Sequence, residues 1–560
     1  MNMSMKNPGL EKFELSDYSG LSGKNFYSML PNLREYVKDS VPAGDFQAVD
    51  RHLEGFGDLV ATELNDLVIA SHQEGKYGEL EKFDRHGNRV DNIRYSPEQV
   101  RAKKLAFDYG IVNLDQQKDW NRPFHFAHRE ALAYISNLNG EAGYNCPLAM
   151  TEGMIEILTH VGSEEQKKKF LPRVASTEPD DYFAAGQYLT ERVGGSNVGA
   201  NRTIAKKGEN GKWYLTGEKW FCSNPSELWV TTAKIEGTGM IGAFIVPRYK
   251  DDKTLNDHHI LRLKNIIGSR GKATAEVEYR NTEAELLGRP HTGLALLIRH
   301  VINVSRVHAA LAASAMARRS FWEAREYARN REAFQKKINE FPSIQRALAE
   351  MQVKVYAIEQ CIFYSWSLKG NTSGLFDLVT PLMKYIATSR SSEISHSAIM
   401  IHGGNGILRD YSVLPRLHND CIINETWEGT HNIIANHVYK AFKKKKIREA
   451  FFEMISSTCD EMKGNSATAE CHSFTRQKLE ELEKIRVDEL SEANRLPLAD
   501  LIFHCLAGAR VLIEASKRSD AELLIARALP TVLEHHTSSF LENPVLLEHE
   551  KVMKIINYGS

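Results

Sequence analysis

The feature that most limits what this chain can fold into is a change of periodicity part-way along it. From about residue 46 to 180, apolar residues recur at helical spacing in several stretches. Between 182 and 287, short runs rich in β-branched and aromatic residues replace them: WYLTG, WVTTAKI, MIGAFIVP and AEVEYR, with Gly, Asn and Pro between. That texture predicts an antiparallel β domain. From about 290 the helical spacing returns. Residues 294–331, 341–368 and 375–401 each place apolar side chains at i, i+3, i+4 and i+7, joined by short Gly- or Pro-marked turns, as in an antiparallel bundle. The segment 82–99 breaks the first helical block with Gly, Asn and Pro, and reads as a loop or small ribbon.

These switches divide the 560 residues into an irregular N-terminal arm (1–45), an N-terminal helical domain (46–181), a central β domain (182–288), a C-terminal helical bundle (289–445) and an extra C-terminal helical domain (446–560). Lys and Arg total 71 against 72 Asp and Glu, so no global charge draws the chain to nucleic acid or an anionic membrane. Residues 446–560 hold 14 basic and 19 acidic side chains, a net of −5 that argues against a DNA-binding face there. No run of about 18 apolar residues suggests a membrane span, and the first residues lack a secretory apolar core. Seven scattered cysteines without a C-x-x-C pair predict free thiols in a reducing cytoplasm and no metal site. The lysine run at 443–446 reads as a solvated helix end.

Four motifs carry chemistry. QYLTERVGGSNVGA (187–200) stands at the hand-over from helix to β texture; Gly194 and Gly195 admit close backbone approach, and Thr190 and Ser196 offer hydroxyls. GEKWFCSNP (217–225) sets an aromatic, Phe221, two residues before Ser223, a ring face and a hydroxyl for a flat ligand. MIHGGNGILRDYSVLPRLHND (400–420) has a Gly-Gly-x-Gly turn directly after a helix, where each glycine costs about 1 kcal/mol as helix interior. NETWEGTHNIIANHV (424–438) places Glu428 and Gly429 before Thr430, a helix N-cap. Standing alone, each is more often an ordinary turn, strand, helix end or solvated charge.

Together, in this order on a helix–β–helix plan, the four motifs resemble the acyl-CoA dehydrogenase family over about residues 120–440. SEEQKKKFLPRVAS (163–176), the stretch 264–288 and REAFQKKI (331–338) extend the likeness. Residues 76–97, NCPLAMT (145–151), KWFCSNP and WEGTHNI resemble more finely the alkylation-response, AidB-like branch, as does the extended C-terminal region.

The resemblance implies a mainly α fold: an N-terminal helical domain, an antiparallel β-barrel domain and a C-terminal four-helix bundle, plus an extra helical domain. It implies FAD, held by Gln187, Tyr188, Leu189, Thr190, Gly195, Ser196, Phe221, Cys222, Ser223, Thr430 and Asn432. Arg331, Phe334, Met400, His402, Gly403 and Gly404 would meet FAD across a subunit interface. Glu428 would be the base, and Ser196, Arg306 and Gly429 would touch the acyl-CoA. Some relatives place the base just before that arginine, where this chain has Ser305. Implied partners are the acyl-CoA, an electron-transfer flavoprotein and further copies in a homotetramer, a dimer of dimers. Alternatives are a DNA-associated protective flavoprotein or an acyl-CoA-sequestering protein. Asn197, Pro342, Gln335 and Arg192 depart from the family pattern. Small residues at 147, 149, 151 and 153, on the helix that sets acyl depth, predict medium-to-long straight chains.

Overall fold

The computed structural model describes residues 20–21, 23–117, 119–176, 182–517, 519–534 and 543–559. Residues 1–19 of the expected arm lie outside the described residues. From residue 31 that arm is not irregular: α1 (Pro31–Ser40) is a helix opened by proline at its first turn, and α2 (Ala43–Ala61) follows within three residues. Leu33 and Val37 of α1 are fully buried, so this segment belongs to the core. Then come α3 (Glu63–Ser71), a ribbon of β1 (Glu79–Phe83) and β2 (Arg89–Arg94), α4 (Pro97–Asp108), α5 (Phe126–Asn137), α6 (Asn145–Val161) and α7 (Glu164–Val174). The sequence S-E-E-Q starts α7 with a capping box. Ser163 Oγ accepts from the Gln166 N–H at 3.2 Å, and the Gln166 side chain accepts from the Ser163 N–H at 3.1 Å.

The β domain comprises β3 (Ala185–Tyr188), β4 (Ile204–Lys207), β5 (Trp213–Ser223), β6 (Leu228–Ile235), β7 (Ile241–Pro247), β8 (His258–Leu263) and β9 (Thr274–Leu287). The ladder runs β3-β6-β4-β5-β9-β7, and a further β6–β7 pairing closes it on itself. The barrel is not purely antiparallel: β6 pairs in parallel with both β3 and β4. Tyr188, Trp229 and Tyr279 fill its interior, with Tyr188 stacked on Trp229 at 5.2 Å.

The C-terminal half begins with α8 (Gly293–Leu297) and a π-helical turn, Ile298–Ile302, that runs into α9 (Asn303–Asn330). α10 (Pro342–Ser367), α11 (Leu375–His402), α12 (Leu414–Thr426) and α13 (His431–Phe442) complete the bundle. Pro342, one of the departures from the family pattern, stands at the first position of α10, where its missing N–H is no loss. Beyond residue 445 lie α14 (Lys445–Glu461), α15 (Ala469–Glu483), α16 (Arg495–Lys517), α17 (Asp520–Glu534) and short helices Pro544–Leu547 and His549–Ile556. This extension shares one core with the bundle, in which Trp322, Tyr356, Leu506 and Ile556 all take part. Tyr356 and Tyr558 hydroxyls donate to Glu522 at 3.1 and 2.8 Å. Among the described residues, two helical stretches, Gly293–Asn330 and Glu492–Lys517, are by length and composition apolar enough to cross a membrane. Their apolar windows are 50% and 61% buried by the rest of the chain. The first carries Arg318, which makes a buried pair with Glu359 of α10 at 2.7 and 2.5 Å.

Candidate active site

The turn between α12 and α13 carries Trp427, Glu428 and Gly429. Glu428 has φ 57° and Gly429 φ 108°, both in the left-handed region, where only glycine is at ease. A strained non-glycine residue persists only if its surroundings over-determine it, and they do. Lys384 of α11 donates to the Gly429 carbonyl at 2.6 Å and the Glu425 carbonyl at 3.2 Å. Arg306 of α9 donates from Nε to the Glu428 carbonyl at 3.4 Å. The Glu428 carboxylate accepts from Gln187 Nε2 at 2.8 Å, and Ser305 Oγ lies 3.0 Å from the same nitrogen. Burial raises the Glu428 pKa above the ordinary carboxylate value; the cations of Arg306 and Lys384 and the Gln187 bond act in the opposite sense.

Glu428 lines a cavity with Asn145, Cys146, Ala149 and Met150 of α6 and Ser305, His308, Ala309 and Ala312 of α9. Its polar walls spend their hydrogen bonds within the protein. Asn145 donates to Gly140 and Ser136 carbonyls at 2.8 and 3.2 Å, His308 pairs with Glu152 at 2.8 Å, and Glu141 accepts from the Gly143 and Cys146 N–H groups at 3.1 and 3.2 Å. What remains for a ligand is largely methyl and methylene surface. Burial pushes the Cys146 thiol up to about 12, so it is neutral and unreactive at physiological pH. Of the four small α6 residues only Ala149 faces this cavity. Thr151 Oγ1 donates to the Pro147 carbonyl at 2.7 Å and accepts from the Ala185 N–H at 2.9 Å. Gly153 packs on Val301, and Pro147 is likewise absent from the cavity wall.

The other anticipated residues fall into two groups. In the first, Thr190 and Phe221 are neighbours because the Trp220 N–H donates to the Thr190 carbonyl at 2.8 Å. Gly195 is required there, since a Cβ would stand 2.8 Å from Thr190 Oγ1. Phe221 is 48% exposed, Ser196 and Asn432 are exposed, and Ser223 and Leu189 are half-buried. Thr430 caps α13, yet its hydroxyl makes no capping bond and stays available. Two side chains turn away from this face. Tyr188 donates to the Asn224 carbonyl from inside the barrel, and Cys222 is fully buried there, because alternate residues of a strand face opposite sides. Only their backbones can meet a ligand. The loop is anchored by a buried ion pair, Glu191–Lys219 at 2.8 Å, and Arg192 pairs with Glu218 at 3.0 Å while covering Trp220.

The second group sits at the far end of α9. Phe334 is 87% exposed and Met400 66% exposed, and a Cβ on Gly403 or Gly404 would meet nothing. His402 is buried, stacked on Tyr327 at 4.1 Å, and so shapes this end of the bundle rather than its surface. Gln335, one of the departures from the family pattern, has φ 66°. Twenty-five residues of one helix separate Arg306 from Arg331, about 37 Å at 1.5 Å per residue.

Sequence reasoning missed Lys384, His308 and Glu141, and missed that Gln187 bonds the Glu428 carboxylate. Lys384 left a trace: it is the single charged side chain between Asp377 and Arg390 in an otherwise apolar helix.

Comparison with known proteins agrees with this architecture. Three domain models match consecutively: the adaptive response protein AidB N-terminal domain over residues 18–181, and the acyl-CoA dehydrogenase middle and C-terminal domains over 186–282 and 291–443. Acyl-CoA dehydrogenase family member 11 of Caenorhabditis elegans is 27% identical over 79% of this chain and 74% of its own length. Putative acyl-CoA dehydrogenase AidB of Escherichia coli is 28% identical over 69% and 72%. The crystal structure of Caenorhabditis elegans ACDH-11 in complex with C11-CoA superposes with a TM-score of 0.84 at 23% identity, covering 96% of this chain and 95% of that one. The chain therefore belongs to the acyl-CoA dehydrogenase family of FAD-dependent oxidoreductases, in its AidB-like branch.

Proposed function

We propose that this protein removes the α and β hydrogens of a medium-to-long straight-chain acyl-CoA. The observation that carries the reading is Glu428: a carboxylate of raised pKa, fixed in the wall of a cavity with a largely apolar ligand surface. Abstracting a proton α to a thioester needs such a positioned base. Glu428 takes the α proton, the β hydrogen leaves as hydride, and the Cα–Cβ double bond forms. FAD supplies the hydride acceptor when bound. The residues fit it: Gly195 lets the loop pack on Thr190, Phe221 offers an exposed ring face, and Ser223 and the uncommitted Thr430 hydroxyl offer polar contacts. Ser305 puts no carboxylate at the alternative base position. Arg306, spent on the Glu428 carbonyl, Asn303 and His437, holds the turn and closes this side of the substrate face.

Arg331, Phe334, Met400, Gly403 and Gly404 serve the cofactor of a second copy, which the separation along α9 supports and which leads to a dimer of dimers. An electron-transfer flavoprotein would be the acceptor that takes up the electrons when the cofactor is bound. The binding of C11-CoA by ACDH-11 and the extent of the structural likeness support an acyl chain in the middle range. Seven free cysteines, six of them buried, support a reducing, cytoplasmic setting. A DNA-associated role is disfavoured by the acidic, core-sharing extension. The test is anaerobic titration of FAD-loaded protein with straight acyl-CoAs from C4 to C16. Bleaching of the flavin by the middle of the panel is expected; a flavin that none of them bleaches would refute the reading.

A further inference from the structure

We infer that Lys384 is a positioning residue for Glu428, clamping the carbonyls on either side of the base so that its carboxylate stays aimed into the cavity. The inference rests on the reading of Glu428 as the base. Three facts carry it. Glu428 occupies a left-handed conformation that a glutamate does not hold unaided. The Lys384 ammonium, fully buried, spends its hydrogen bonds on Glu425 and Gly429, one turn before the base and immediately after it. α11 has no other charged side chain between Asp377 and Arg390, so the lysine is not there to meet water.

A lysine suits this place better than an arginine. Its compact ammonium directs three donors from one point and so reaches two carbonyls that converge across a tight turn, whereas a planar fork prefers a flat acceptor pair. The same cation sits in the field of the base. The groups acting on Glu428 are Arg306 from α9, Lys384 from α11 and Gln187 from β3, and Cys146 of α6 lies within its field. Lys384 in turn feels Glu428, Glu425, Arg306 and His431. Burial lowers the lysine to about 8, and Glu428 opposes that shift. Lys384 therefore acts twice: it fixes the turn mechanically, and its charge keeps Glu428 ionised at lower pH than burial alone would allow.

The test uses Lys384→Met, Lys384→Gln and Glu428→Gln in FAD-loaded full-length protein. Flavin reduction by hexanoyl-, dodecanoyl- and hexadecanoyl-CoA is followed from pH 5 to 9. Lys384→Met should keep its FAD, lose about 10²-fold in reduction rate at pH 7, and show its acid limb moved to higher pH, because a lost cation raises the carboxylate pKa. Lys384→Gln keeps a donor without the charge; it should recover part of the rate but show the same displacement, and it decides the matter if the methionine variant does not fold. A slower rate with an unmoved acid limb, or no change in either variant, would overturn the clamp. A wild-type flavin that none of the three reduces, or a Glu428→Gln variant still reduced at the wild-type rate, would overturn the base assignment and the inference with it.

Discussion

Replacing Ala149 by leucine probes the depth of the cavity. Ala149 is 8% exposed and faces the space bounded by Met150, His308, Ala309 and Ala312. A leucine there adds three carbons to the wall and displaces about three methylenes of an acyl chain that reaches it. At about 0.8 kcal/mol per buried methylene, the loss is about 2.4 kcal/mol, or about 60-fold in affinity. Chains too short to reach Ala149 should bind as before, so the ratio of long-chain to C4 affinity falls by that factor. The assay is the shift of the flavin spectrum on titration of FAD-loaded variant and wild type with C4, C8, C12 and C16 acyl-CoA, with thermal midpoint and FAD content as controls. An unchanged chain-length profile in a stable, FAD-loaded variant would refute the placement of the acyl chain against α6.

Gln187→Leu removes the hydrogen bond to the Glu428 carboxylate. Bonds to charged groups are worth about 1.5–3 kcal/mol, so the acid limb of flavin reduction should rise by about one to two pH units, read from stopped-flow rates across pH. Because Glu428 must be ionised to take a proton and burial raises its pKa, the wild-type rate should itself fall as pH drops through a value above the usual 4.5. Lys219→Met leaves Glu191 buried without its cation, a loss of about 3–5 kcal/mol; calorimetry should show a lower midpoint, and FAD should be retained poorly because Glu191 anchors the loop bearing Thr190 and Gly195. The isolated protein should not retard duplex DNA in a gel-shift assay at 150 mM salt.

Much of the fold was legible because periodicity reports burial: the β texture of 182–287 marks the barrel, and the spacing of 294–331 marks α9. The helix at Pro31–Ser40 was not, since a ten-residue amphipathic segment flanked by polar sequence carries too few apolar repeats to declare itself. Parallel pairing of β6 with β3 and β4 was equally hidden, because strand texture does not encode direction. In the site, Glu428 was singled out only through the likeness of the four motifs, taken together, to the family pattern; its place before a cap marks nothing by itself. That the side chains of Tyr188 and Cys222 lie inside the barrel was not legible, because a motif names positions while the pleat decides which side chains point outward. The links from Gln187 and Lys384 to the base span 241 and 45 residues, and no local spacing reports contacts of that kind.

The most direct test of the whole account is the reductive half-reaction of Glu428→Gln. The substitution keeps the shape and the contact with Gln187 but removes the proton acceptor. In rapid mixing with the acyl-CoA that best reduces the wild-type flavin, the variant should bind FAD and ligand normally, with reduction slowed by at least about 100-fold. Flavin reduction at the wild-type rate would place the base elsewhere and contradict the account.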